Sequence, residues 1–319
     1  SAPFPVEAPV SSPVVVADGA LERILKSTVN IASGPLTRLD LAGLDALVAP
    51  DSGIDSLVGL EHAVALRYLD LSGNRITDLT PLGRLSALEE VDMSANPLGS
   101  LEGAQGWTAL RELDVHSADI RELTPLSGLA GVEALFLWDN RIHDLSPLGA
   151  LPRLVTLDVA DNAIESAVAL GSVASLRELD LSRNRLRTLP SLWSQPAFDA
   201  LWLSDNQLTV SGSLPEIHLR GSQTPPRILS GDAAAPPYAL LRLEGNYLEL
   251  ARESADGAWL HALSATLGDA VVTSPQRLPV QLSIDSRTVF PGVPFDTDLR
   301  LEGSAPFSHL AGTLVWDSE

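Results

Sequence analysis

Apolar residues return along this chain with a period of 22. Leu44, Leu66, Leu88, Leu110, Val132, Leu154, Leu176 and Phe198 follow one another at that spacing without slippage. Behind each runs one pattern, complete at Leu66, Leu69, Leu71, Asn74, Ile76, Leu79, Leu82 and Leu85. A fixed period of this length predicts a solenoid, in which a coil buries its apolar face only against its neighbours. The second half of Leu-x-x-Leu-x-Leu alternates, which predicts a short strand with Leu69 and Leu71 inward. Stacked coils make such strands parallel neighbours about 4.8 Å apart. Asn74 stands where the chain leaves the strand, and a buried amide there satisfies backbone groups of its own and the adjacent coil. The predicted ladder is Asn74, Asn96, Asn140, Asn162, Asn184, Asn206 and Asn246, broken at Ala118 and replaced by Ser52 in the first coil. Threefold spacing of Ile76, Leu79, Leu82 and Leu85 predicts short 3₁₀ turns on the return arm. Three of these arms carry proline, in Thr80-Pro81-Leu82, Thr124-Pro125-Leu126 and Ser146-Pro147-Leu148. A wide outer arm behind narrow strands predicts an arc with a concave sheet face.

The flanks read differently. Residues 1–17 form an extended arm, with Pro3, Pro5, Pro9 and Pro13 opposing helix. Residues 18–43 read as a helical N-terminal cap. Asp18 is the N-cap of a helix carrying Leu21, Ile24 and Leu25 to about Lys26, and Thr37-x-x-Asp40 has capping-box spacing. Repeats fill 44–250, with an insertion at about 211–237, because the coil after Phe198 begins at Tyr238. A C-terminal cap occupies 251–277, where Trp259, Leu260, Leu263 and Leu267 make the buried face of a helix over 255–267, extended by Ala270-Val271-Val272. In 278–319 the alternating runs Pro279–Ile284, Phe295–Leu301 and Leu310–Trp316 predict strands of a partial antiparallel β module. Three strands do not close a two-sheet sandwich. The module then belongs to a longer chain, packs on the cap, or takes a strand from another copy, with Val14-Val15-Val16 a candidate donor.

The repeats resemble those of leucine-rich-repeat proteins, and within them the 22-residue class of bacterial internalin-like surface proteins, over about residues 18–275. The resemblance implies an α/β repeat solenoid with a parallel inner β-sheet, a short helical N-cap, and a role in protein–protein recognition. The segment 278–319 is faintly similar to the opening strands of immunoglobulin-like or cohesin-like modules.

Charge narrows the partners. Against 21 Lys and Arg stand 41 Asp and Glu, for a net charge of −20. That excludes nucleic acid, which needs clustered cations, and suits an exported protein or one that meets a basic partner. No cysteine is present, so disulfides, thiolate metal sites and cysteine nucleophiles are excluded. No apolar run approaches the roughly 20 residues of a transmembrane helix. The start at Ser1, ahead of a proline-rich arm, reads as a processed terminus. Together these features place the protein outside the cell or at its surface.

Alternate strand residues point away from the core, so three ladders line the concave face. One passes through Tyr68, Glu90 and Glu112. The next contains Asp70, Asp92, Asp114, Phe136, Asp158, Asp180 and Trp202. The third contains Ser72, Ser94, His116 and Trp138. Stacked like charges raise one another's pKa, and Arg67, Arg111 and Arg177 stand near enough in sequence to compensate. The departures from the repeat carry most information. Phe136, Trp138 and Trp202 replace the polar residues of their ladders, and large aromatics on an exposed face mark binding sites. The candidate ligand-binding set is Tyr68, Asp114, His116, Phe136, Trp138, Asp139, Asp158 and Trp202, an aromatic patch with an acidic rim suited to a basic peptide or a sugar ring.

Catalysis is not expected. Asp114 and His116 lie near Ser94 and Ser117, but a triad also needs a pocket and an oxyanion hole. No metal or cofactor is expected, since the histidines are scattered and EF-hand spacing is absent. The leading reading is non-catalytic recognition of a protein or glycan on the concave face. The alternative is a structural subunit of a surface or filament assembly, self-associating through the N-terminal arm and the C-terminal β segment.

Overall fold

The computed structural model describes residues 11–188 and 198–208, and the backbone of 241–242 and 271–272. The chain divides into two units, Ser1–Arg277 and Leu278–Glu319, and all described residues lie in the first. Ten short strands follow one another in a single sheet, in chain order and all parallel. They are β1 (Ala46–Val48), β2 (Tyr68–Asp70), β3 (Glu90–Asp92), β4 (Glu112–Asp114), β5 (Ala134–Phe136), β6 (Thr156–Asp158), β7 (Glu178–Asp180), β8 (Ala200–Trp202), β9 (Leu241–Arg242) and β10 (Val271–Val272). From β1 to β8 every partner is one period further on, as in Tyr68↔Glu90 and Glu90↔Glu112. Leu201 then pairs with Leu241, so the register resumes after the longer interval.

The core is one continuous stack. Leu69, Leu71, Ile76, Leu82, Leu85 and Leu88 are wholly buried, and their counterparts in the other coils join the same cluster. Each such side chain contributes about 1.5–3 kcal/mol by leaving water. Outer 3₁₀ turns stand at Leu60–His62, Thr80–Leu82, Ala104–Gly106, Thr124–Leu126, Ser146–Leu148 and Val168–Ser172. Between strand and return arm each coil passes through a residue of positive φ at one shared position, Asp51, Gly73, Ala95, Ser117, Asp139, Asp161, Arg183 and Asp205, with Gly53 and Asp119 adding a second in their coils. That left-handed residue turns the chain off the sheet, and the ladder Asn follows it in every coil but those of Ser52 and Ala118.

The Asn ladder joins coils. Asn96 donates through Nδ2 to the carbonyls of Leu71 (2.9 Å) and Met93 (3.1 Å), and its Oδ1 accepts from Ile76 N–H (2.9 Å). Asn74, Asn140, Asn162, Asn184 and Asn206 repeat this. At Ala118 the amide is missing, and the N–H of Leu98 that it would have served donates to the Asn96 carbonyl instead (2.8 Å).

The solenoid's first coil is covered by α1 (Gly19–Thr28) and α2 (Arg38–Ala42). Asp18 caps α1 by accepting from Ala20 and Leu21 N–H, and its other oxygen accepts from Asp55 N–H, tying the cap to the first coil. Thr37 and Asp40 form the expected capping box. The described part of the arm is engaged within its own chain. Val14 N–H donates to Leu36, Ala17 N–H to Val58 and Arg38 N–H to Ser12, while Val14 and Val16 pack on the core.

One part of the expected fold class is corrected. The partial antiparallel β module finds no counterpart in the sheet, whose strand pairs are all parallel. Period-two alternation specifies a two-faced strand but not the direction of its partner, whereas a coil that always returns on the same side enters the sheet in one sense each time. Val271–Val272, read as an extension of the cap, forms the tenth parallel strand beside β9. The insertion at 211–237, the helix at 255–267, Asn246 and the three runs within 278–319 lie outside the described residues.

Candidate functional site

The concave face is built by the first and third residues of each strand and by the residue two beyond it. Its centre is at β4 and β5. Asp114 pairs in register with Phe136, and two residues on, His116 and Trp138 stack with ring centroids 4.1 Å apart and planes 9° from parallel. The Asp114 carboxylate fixes the imidazole, its Oδ1 lying 2.7 Å from His116 Nδ1 and also accepting from the His116 backbone N–H (3.0 Å). Asp114, His116, Phe136 and Trp138 are half-buried and Asp139 is exposed. Asp139 sits at the left-handed position (φ 54°) and accepts from Ser117 Oγ (2.6 Å). These five residues form one locally braced group.

The other three candidates stand apart from it. Tyr68 is exposed on β2, three strands from β5 and so roughly 14 Å away. Burial first, then the charges of Asp70 and Asp92, push its phenol up. Asp158 neighbours Phe136 in register but is fully buried and accepts from Ala160 N–H (3.1 Å), so it is no rim to an open patch. Trp202 lies three strands beyond β5, is only 8% exposed and clusters with Ala200. Burial rises along the face as a whole. The outward residues of β1 to β3 are exposed or half-buried, whereas those of β6 and β8 are buried. A repeat assigns every coil the same address and carries no signal for this gradient.

Asp70, Asp92 and Asp114 occupy adjacent strands. Asp70 accepts through Oδ1 from Ser72 N–H and Oγ, and Asp92 through Oδ1 from Ser94 N–H and Oγ. Burial pushes the Asp92 carboxyl up, with Asp114 and Asp70 adding to it against the Ser94 hydrogen bonds. The expected arginine compensation is not what the structure uses. Arg67 is committed to Glu89 at 2.8 Å and Arg111 approaches Glu133 at 3.9 Å, both one coil on, while Arg177 donates to the Ala174 and Leu176 carbonyls.

No catalytic arrangement forms around Asp114 and His116. Ser94 Oγ is given to Asp92 and Ser117 Oγ to Asp139, so neither serine faces the imidazole as a nucleophile. Among the described residues no group of three or more His, Asp or Glu could hold a metal ion, and no helix is long and apolar enough to cross a membrane.

Comparison with known proteins agrees with this geometry. A model described as leucine rich repeats (2 copies) matches residues 64–106, and one described as leucine rich repeat matches 175–195. The crystal structure of an internalin C2 from Listeria monocytogenes is 29% identical, with a TM-score of 0.58, over 64% of this chain and 93% of that one. An internalin (inlF) from the same organism shares the fold at 22% identity and a TM-score of 0.54, over 75% of this chain and 73% of that one. No curated protein matches. Residues 64–106 and 175–195 thus carry leucine-rich repeats, and over about two thirds of its length the chain is similar in fold and sequence to a bacterial internalin.

Proposed function

We propose that the protein recognises another protein through the concave face of its sheet, outside the cell or at its surface. His116, Phe136 and Trp138 are the anchors, with Asp114 and Asp139 beside them and Tyr68 at the near end. The observation that carries this reading is the His116–Trp138 stack braced by Asp114. It holds two flat side chains rigid on a face that the core does not require, and rigid aromatics lose little entropy on binding. A glycan is the less favoured occupant, because the imidazole covers one face of the indole and leaves only the other for a sugar ring. Self-assembly through the arm is disfavoured by the hydrogen bonds that hold Ser12–Ala17 to its own cap and first coil.

The test is capture from an extract of cell-surface proteins. The Phe136→Ala, Trp138→Ala double variant should lose capture while melting within a few degrees of the parent. Val168→Ser, on the exposed outer arm, should retain it. Undiminished capture by the double variant overturns the reading.

A further inference from the structure

The carboxylates of the concave face give the partner's chemistry. Tyr68, Glu90 and Glu112 are register neighbours, as are Asp70, Asp92 and Asp114, and this second row runs directly into Phe136. From β1 to β8 no Lys or Arg occupies a position of the three ladders; the flanking arginines, Arg67 and Arg111, are turned to Glu89 and Glu133. Asp70, Asp92 and Asp114 each commit Oδ1 to the residue two positions on. Three carboxylates are thereby held alike, with Oδ2 as the remaining acceptor, about 4.8 Å apart along the row. Such a row does not converge on one ion, in keeping with the lack of a metal-sized cluster among the described residues. It suits cations carried one after another on a chain. Beyond it lie Phe136 and Trp138, which accept a guanidinium on a ring face or an apolar side chain.

We propose that the concave face from β2 to β5 docks a Lys- and Arg-rich segment of the partner protein, its cations along Asp70, Asp92 and Asp114 and its end against Phe136 and Trp138. The inference rests on the concave-face reading above and adds to it the class of partner. The acidic row supplies the orientation of the segment and speeds its encounter, and the aromatic end supplies contact area.

A nona-arginine peptide, its binding followed by fluorescence anisotropy, is the probe. The intact protein should bind it at 50 mM salt and weaken steeply by 300 mM. Asp70→Asn, Asp92→Asn and Asp114→Asn combined should weaken binding at least tenfold, since asparagine keeps the Oδ1 acceptor and removes the charge. Glu102→Gln, Glu122→Gln and Glu165→Gln combined change the net charge equally at exposed positions off the face and should leave binding within twofold. Equal loss in both triple variants would mean attraction to overall charge and overturns the proposal, as does an undiminished Asp variant. The concave-face reading is separable: if the acidic row is immaterial but Phe136→Ala with Trp138→Ala still abolishes capture of the natural partner, the surface stands and its cationic ligand does not.

Discussion

Replacing Asn96 by Ala tests the ladder where it is weakest. Asn96 is 1% exposed. Without its amide, the Ile76 N–H loses its acceptor. The Leu71 carbonyl keeps a donor, because Asn74 Nδ2 also reaches it at 2.8 Å, and the Ser94 carbonyl keeps Gly73 N–H. The Met93 carbonyl has no such second amide: the coil that would supply it carries Ala118. Two buried groups are therefore orphaned, at about 1–3 kcal/mol each, for a loss of about 2–6 kcal/mol. Asn162→Ala is the internal comparison. There the Ile142 N–H is orphaned, but the Leu137 carbonyl retains Asn140 and the Val159 carbonyl retains Asn184, so the loss should be about 1–3 kcal/mol. Urea unfolding monitored by circular dichroism measures both, and tryptophan fluorescence gives a second probe, since Trp107 is fully buried in the same coil as Asn96. Equal losses, or a larger loss for Asn162→Ala, would refute the argument that the break at Ala118 removes a backup donor.

Other outcomes follow from individual contacts. Gly106→Ala should cost at least about 2 kcal/mol, because a Cβ there runs into the Gly83 carbonyl oxygen of the preceding outer turn; a thermal melt of the single variant decides it. Asp18→Ala should cost about 1–2 kcal/mol as a lost N-cap. Although burial opposes it, hydrogen bonds from Asp55, Leu21 and Ala20 hold the Asp18 carboxyl below its ordinary value of 3.8. Its stabilisation is therefore present above that pH and lost as the pH falls through the lower folded value, so the gap between parent and variant should narrow in acid. Asp92 behaves oppositely, its folded carboxyl lying above 3.8. The ionised form opposes folding, so Asp92→Asn should be the more stable protein at pH 7, by up to about 1 kcal/mol, and the advantage should vanish below pH 3.8. An advantage that grows in acid contradicts the assignment.

The solenoid is legible in the sequence because its period carries both the packing and the turn chemistry. Leu69 and Leu71 must face inward, and Asn74 must supply the amide that the turn needs. The gap at Ala118 is legible as a gap. Its repair is not, since only the folded turn at Asn96-Pro97-Leu98 brings the Leu98 N–H onto the Asn96 carbonyl. The stacking of His116 on Trp138 follows from adjacent ladder positions, and so does the row of Asp70, Asp92 and Asp114. Asp158 and Trp202 share the ladder of Phe136 yet are buried. Equivalence by repeat fixes where a side chain stands along the sheet and leaves open what surrounds it. The arm has contacts that its sequence does not announce: Val14 N–H donates to Leu36 in the cap, and Ala17 N–H to Val58 in the first coil.

Hydroxyl-radical footprinting of the protein with its captured partner tests the central claim most directly, because it reports which side chains lose solvent on binding. The account predicts protection of Tyr68, Phe136 and Trp138, with Leu39 and Val168 on other surfaces labelled as in the free protein. Protection of Leu39 or Val168, with Trp138 and Phe136 unchanged, would contradict it.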